Sequence, residues 1–262
     1  MILPAILLNA MLLAAAAPTG PADTRSDKAR FDACVHLSDG DPVAAEKSAA
    51  DWARTGGGVP AAQCLGIALS AAGDWKNAAD AFSTAASLAG QIHLAGAANL
   101  WVSAGDAALA GGNAAQARAL LTTAIAAIDA PDQMKGEAYL DRARADVAAN
   151  DLGSARGDMD AAIKLVPDDP VAWLLSATLA RRMDDQPRAA ADIQQALTRA
   201  PEAADILFEA GNIAAAGGDT PGARVQWAHA LAAEPGSDAA QRAKAELAAT
   251  GGIPAAPQAA GR

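Results

Sequence analysis

The sequence predicts an all-α fold in which antiparallel helix hairpins stack into a solenoid. Two observations carry this expectation. The 262 residues are 52% hydrophobic but only 3% aromatic, and the apolar content is mostly alanine, the best helix former and a poor strand former. Pro167 recurs as Pro201 and Pro235, steps of 201 − 167 = 34 and 235 − 201 = 34. A fixed step of this size marks stacked helical hairpins.

The elements follow in chain order. Residues 1–22 carry no charged side chain, and MILPAILLNAMLLAAAA is an apolar run of signal-peptide length ending in small residues. Ala14-Ala15-Ala16 fits a small-residue cleavage pattern. The expectation is export to the periplasm after cleavage, with membrane anchoring by residues 1–17 as the alternative. Residues 23–58 read as a divergent helical hairpin, Ser26 to Leu37 and Pro42 to Arg54, turned at Gly40-Asp41-Pro42 and ended by Gly56-Gly57-Gly58. Five hairpin units then occupy 59–97, 98–135, 136–169, 170–203 and 204–237. The two earlier steps are longer, 98 − 59 = 39 and 136 − 98 = 38, which predicts longer connections near Gly90–His93 and Ala130–Met134. Asp238 to Ala249 reads as a capping helix with one polar side, as the exposed end of a solenoid requires. Residues 250–262, small and rich in Gly and Pro, are expected to be disordered.

Within the units the packing pattern is legible. Counting from Ala98, Gly136, Pro170 and Ala204, the fourth place holds Trp101, Tyr139, Trp173 and Leu207. The eighth holds Gly105, Ala143, Ala177 and Gly211, and the twentieth Ala117, Ala155, Ala189 and Ala223. The twenty-fourth holds Leu121, Met159, Ile193 and Trp227. Small residues let two helices approach closely, and bulky ones fill the space beside the contact. Proline after the second helix cannot continue it, and Pro170 can open the next helix after Asp169 as N-cap. This pattern closely resembles the tetratricopeptide repeat across residues 59–235. The resemblance implies a right-handed superhelix whose concave groove is lined by set places of each first helix.

Carried over residue by residue, those places give Leu140 and Arg144 in one unit, Leu174, Thr178, Arg181 and Arg182 in the next, and Phe208 and Asn212 in the third. The same places hold Asp106, Glu137 and Asp205. The arginines suggest an acidic group on a peptide, because guanidinium favours carboxylate in a two-pronged geometry, and the apolar residues suggest anchors for it. The lysine and asparagine clamp that some relatives use for chaperone tails is absent; only Asn212 fits it. Arg142 and Asp146, at places usually apolar, stand four apart and can pair along one helix. Cys34 and Cys64 fall on the first helices of adjacent hairpins, where a disulfide of normal Cα separation is possible. An exported chain sits where such bonds persist.

Chemistry finds no support in the sequence. His36, His93 and His229 are far apart, no metal-binding or nucleophile motif occurs, and the glycine pairs lie between helices. No metal or cofactor is expected. The formal net charge of −10 repels nucleic acid, whose binding rests on neutralising phosphate. The expected function is that of a non-enzymatic scaffold holding a protein or peptide in the groove. The alternative is a structural envelope component acting through its outer or terminal surfaces, with membrane contact only if the N-terminal segment is retained.

Overall fold

The computed structural model describes residues 24–127 and 130–251. The expected signal segment and most of the expected disordered tail lie outside them. The described residues form thirteen helices and no strand. In chain order these are α1 (Thr24–Gly40), α2 (Pro42–Arg54), α3 (Gly58–Ala71), α4 (Trp75–Gln91), α5 (Ala97–Ala110), α6 (Ala114–Ala126) and α7 (Asp132–Ala148). They continue with α8 (Leu152–Leu165), α9 (Pro170–Arg182), α10 (Gln186–Arg199), α11 (Ala204–Ala216), α12 (Thr220–Ala233) and α13 (Asp238–Ala249).

Each helix packs on the next, so the chain folds as a succession of hairpins. The turn inside each of the five hairpins from α3 to α12 is built the same way. A residue in the left-handed region is followed by a capping side chain: Gly73-Asp74, Gly112-Asn113, Asn150-Asp151, Asp184-Asp185 and Gly218-Asp219. The cap accepts a backbone N–H three residues on, which supplies a donor that the helix start otherwise lacks. The caps step by 185 − 151 = 34 and 219 − 185 = 34, the same period as the prolines.

Inside each hairpin the small and bulky places meet. A Cβ added at Gly66 would stand 2.7 Å from the Phe82 ring, and one at Gly105 would stand 2.5 Å from Leu121. Gly211 is covered by the Trp227 indole in the same manner. Where the facing residue is the narrower Met159 or Ile193, the eighth place accepts alanine: Ala143 and Ala177 are fully buried in those two hairpins. Alanine contacts therefore recur from hairpin to hairpin, with one bulky side chain of each second helix covering the small eighth place.

The seam between units has its own bonds. Trp173 Nε1 donates to the Pro167 carbonyl at 2.8 Å, and Arg199 Nε donates to the same oxygen at 2.7 Å. The Arg199 guanidinium also lies over the Trp173 ring, 5.1 Å from its centre. Proline ends the helix, and its free carbonyl ties the next two helices down.

The two wider steps are absorbed differently from the expectation of longer loops. The helices α4 and α7 each run to 17 residues. No proline stops α4, so it continues through Gly90 and Gln91 and ends only where His93 turns left-handed at φ 51. Pro131 instead sets the start of α7, whose first turn takes in Asp132–Met134. The first hairpin is likewise longer than expected, with α1 beginning at Thr24 and reaching Gly40.

Curvature follows from which helices touch. First helices meet across units, α1 with α3, α5 with α7, α9 with α11 and α11 with α13. No two second helices meet to a comparable extent. The layer whose members are closer together lies on the inside of the bend, so the first helices form the inner face.

Candidate functional site

The groove residues expected from the sequence lie on the first helices α7, α9 and α11, which use them unequally. Leu140 and Phe208 are only 5% and 7% exposed. Leu140 packs against Ala143 and Met159, and Phe208 against Leu247 and beneath the Arg242 guanidinium, 4.5 Å from the ring centre. They hold hairpins together and offer a partner little surface. Leu174 is half-buried, as is Thr178, whose hydroxyl donates to the Leu174 carbonyl at 2.9 Å.

The arginines divide in the same way. Arg181 reaches across to α11, with Nε 2.7 Å and Nη2 3.2 Å from the two oxygens of Glu209. Glu209 is buried and also accepts from Asn212 Nδ2 at 3.0 Å, while Asn212 Oδ1 accepts from Trp227 Nε1 at 3.1 Å. Arg181, Glu209, Asn212 and Trp227 thus form one chain of bonds that joins α9, α11 and α12. Arg144 pairs with Asp141 on its own helix at 2.7 Å. Arg182 is exposed and makes no ion pair among the described residues.

Two carboxylates that sequence reasoning passed over decide this pattern. Asp141 and Glu209 both occupy the sixth place of their units. The Asp141 signal was available, since it stands three residues before Arg144 on one helix face. Glu209 is separated from Arg181 by 28 residues, and that pairing depends on how neighbouring units stack.

The stretch of inner face formed by α5 and α7 is acidic. Asp106 lies beside Asp141, with Glu137 and Arg144 around them. Loss of water, the Asp141 charge and a hydrogen bond with Asp141 push the Asp106 carboxyl up to about 7, although its outer side stays open to the groove. Burial also raises Asp141, against the pull of Arg144. One proton shared between two carboxyls relieves the repulsion of like charges. Glu137 also borders a cleft of about 420 Å³ between the starts of α5 and α7, with Asn99, Gln133 and Met134 among its walls. The connections of the two wider units build this cleft.

On the other side of the hairpins, Arg142 and Asp146 do not pair with each other as their spacing suggested. Arg142 forms a two-pronged pair with Asp158 of α8, both distances 2.7 Å, and donates to Thr122 of α6 at 3.0 Å. Asp146 faces Arg118 of α6 at 3.2 Å. Facing helices bring longer-range partners closer than the turn-to-turn neighbour. Among the described residues, no group of three or more His, Cys, Asp or Glu could hold a metal ion. No helix there is long and apolar enough to cross a membrane.

Comparison with known proteins follows this geometry. Residues 174–240 match the family model described as tetratricopeptide repeat. No curated protein sequence matches the chain. Among solved structures, PilW, described as a widely conserved type IV pilus biogenesis factor, superposes with a TM-score of 0.67 at 18% identity, covering 83% of this chain and 98% of that one. PilF of Pseudomonas aeruginosa gives a TM-score of 0.62 at 15% identity, covering 84% and 99%. YrrB, described as a TPR protein with an unusual peptide-binding site, gives 0.52 at 17% identity, covering 71% and 91%. At these identities the likeness is one of fold. With the 34-residue step and the glycines under bulky partners, residues 174–240 match the tetratricopeptide repeat, and the described residues share the helical-solenoid fold of such proteins.

Proposed function

We propose that this protein is an exported, non-enzymatic scaffold that holds a protein or peptide partner against the inner face of its first helices. The observation that carries this reading is the set of polar side chains left open on that face: Asp106, Glu137 and Arg182, beside half-buried Thr178. Arg181 and Asn212 are engaged within the fold, whereas Arg182 makes no ion pair among the described residues, and Asp106 and Glu137, bonded only to Asp141 and Gln133, stay exposed on this face.

The charge pattern narrows the partner. Arg144 and Arg181 are each matched by a carboxylate within the protein, so an acidic peptide gains little from them. Around α5 and α7 the complementary group on a partner is cationic. Export rests on the apolar, uncharged first 22 residues. The resemblance in fold to PilF and PilW, the latter described as a pilus biogenesis factor, accords with an envelope location.

The test is capture of partners from envelope extract by the exported protein and by an Asp106→Asn/Glu137→Gln variant. Loss of captured protein from the variant, and from the parent at high salt, supports the reading. Unchanged capture by the variant overturns the placement of the partner on this face. An intact mass of the exported protein beginning at Met1 would contradict a cleaved leader.

A further inference from the structure

We propose that the Cys34–Cys64 disulfide is a redox latch that holds α1 on the end of the stack, and that its reduction frees this helix alone. The two cysteines join α1 to α3 with their Cα atoms 6.2 Å apart. Helix α1 packs on both α2 and α3, with Asp27, Phe31 and Val35 half-buried, but it buries few side chains there. Its only buried side chains in the described region are Cys34 and Ser38. The Ser38 hydroxyl donates to the Cys34 carbonyl of its own helix, so this buried group makes no polar bond across the interface. The ion pair of α1, Lys28 with Asp32, is likewise internal. Across the interface there remain half-buried Phe31 and the Arg30 guanidinium, 4.7 Å from the centre of the Trp52 ring.

By contrast α2 buries Ala45, Ala49 and Trp52, and α3 buries seven side-chain positions from Val59 to Leu69. These two helices also pack on one another. An isolated helix of this length is marginal in water, so α1 stays ordered through the bond to Cys64. Helix α2 and the rest of the stack do not depend on it.

The latch is reachable. Cys34 lines a cleft of about 160 Å³, with Arg30, Ala33, Leu37, Ser48 and Trp52 as its other walls, whereas Cys64 is fully buried. A dithiol reductant attacks there. Its thiolate bonds to Cys34 Sγ, the S–S bond breaks, and Cys64 Sγ leaves and takes up a proton. The second thiol of the reductant then attacks its own sulfur in the mixed disulfide, and Cys34 Sγ leaves and takes up a proton. The reductant ends as a disulfide and the protein as two thiols. Since α1 lies on α3 in the inner layer, the reduced protein has an inner face one helix shorter. This inference stands apart from the identity of any partner.

The experiment is hydrogen exchange on the full exported chain, oxidised and after equilibration with dithiothreitol, with a Cys34→Ser/Cys64→Ser variant alongside. The expected result is a loss of protection of at least about tenfold for amides of residues 24–40 on reduction, while α3 to α13 keep theirs. The variant should match the reduced protein with or without dithiol, and reoxidation of the parent should restore protection. Unchanged protection of α1 after thiol titration shows two free cysteines would overturn the proposal, because packing would then hold the helix. Loss of protection throughout the stack would overturn it too, because the bond would then be a global staple. Failure of dithiol to reduce the folded protein would equally defeat it.

Discussion

At the scale of single residues, the glycine at the eighth place depends on its partner across the hairpin. Gly211 has the Trp227 indole where a Cβ would stand. Gly211→Ala therefore forces the ring or the helix to move, and should lower stability by about 1–3 kcal/mol, read from chemical denaturation. In a Trp227→Ile background, which recreates the Ala177 and Ile193 pair of the preceding hairpin, the same alanine should cost far less. Equal cost in both backgrounds would show that the indole is not the obstacle. The Asp106 carboxyl sets a second residue-scale expectation. Its folded-state pKa of about 7 lies above the ordinary 3.8, so the folded protein keeps a proton that the unfolded chain has lost. Its contribution to stability is complete below about pH 4 and is lost as pH rises through about 7. The melting temperature of Asp106→Asn, relative to the parent, should therefore rise between about pH 5 and about pH 8. A pH-independent difference would contradict the shared proton.

Among the elements, repetition preserves a role while exchanging the residues that fill it. Thr122, Arg142 and Asp158 form one polar rung through α6, α7 and α8. Thirty-four residues on, since 156 − 122, 176 − 142 and 192 − 158 all equal 34, stand Arg156, Ser176 and Asp192. There the guanidinium comes from the preceding second helix: Arg156 Nη2 donates to Ser176 Oγ at 2.7 Å, and Ser176 donates to Asp192. A hydroxyl has taken the arginine's place on the middle helix, an arginine of the helix before it bonds that hydroxyl, and Asp192 also pairs with Arg188 of its own helix at 3.3 Å. Arg142→Ser should cost roughly 2–4 kcal/mol, because Asp158 is left buried without a cation. Adding Thr122→Arg should recover most of the loss, and no recovery would mean that the two rungs are not equivalent. These rungs show where reading from sequence stops. The prolines, caps and small residues were legible because each acts within a hairpin or at a fixed step. Arg142 with Asp146 was misread because a helix wheel sees only its own turns, and the real partners come from facing helices. The buried state of Leu140 and Phe208 was hidden for the same reason: their place faces the groove in the repeat, but the neighbouring helices α8 and α13 cover them.

Across the whole molecule, the helices form a layered stack whose first helices make the inner surface. Alanine contacts bring the first helices close, and the second helices stand apart, so the layer bends toward the first helices. The proposed contacts Asp106, Glu137, Thr178 and Arg182 stand on three of these first helices, α5, α7 and α9. The most direct measurement is site-specific photo-crosslinking of the full chain in envelope extract. A photoreactive residue would be placed in turn at Thr178 and Arg182 on the inner face, and at exposed Ser87 and Gln194 on second helices. The account predicts discrete crosslinked partners from the first two positions and none of the same species from the others. Crosslinks to those species from Ser87 and Gln194, with the inner positions silent, would contradict it.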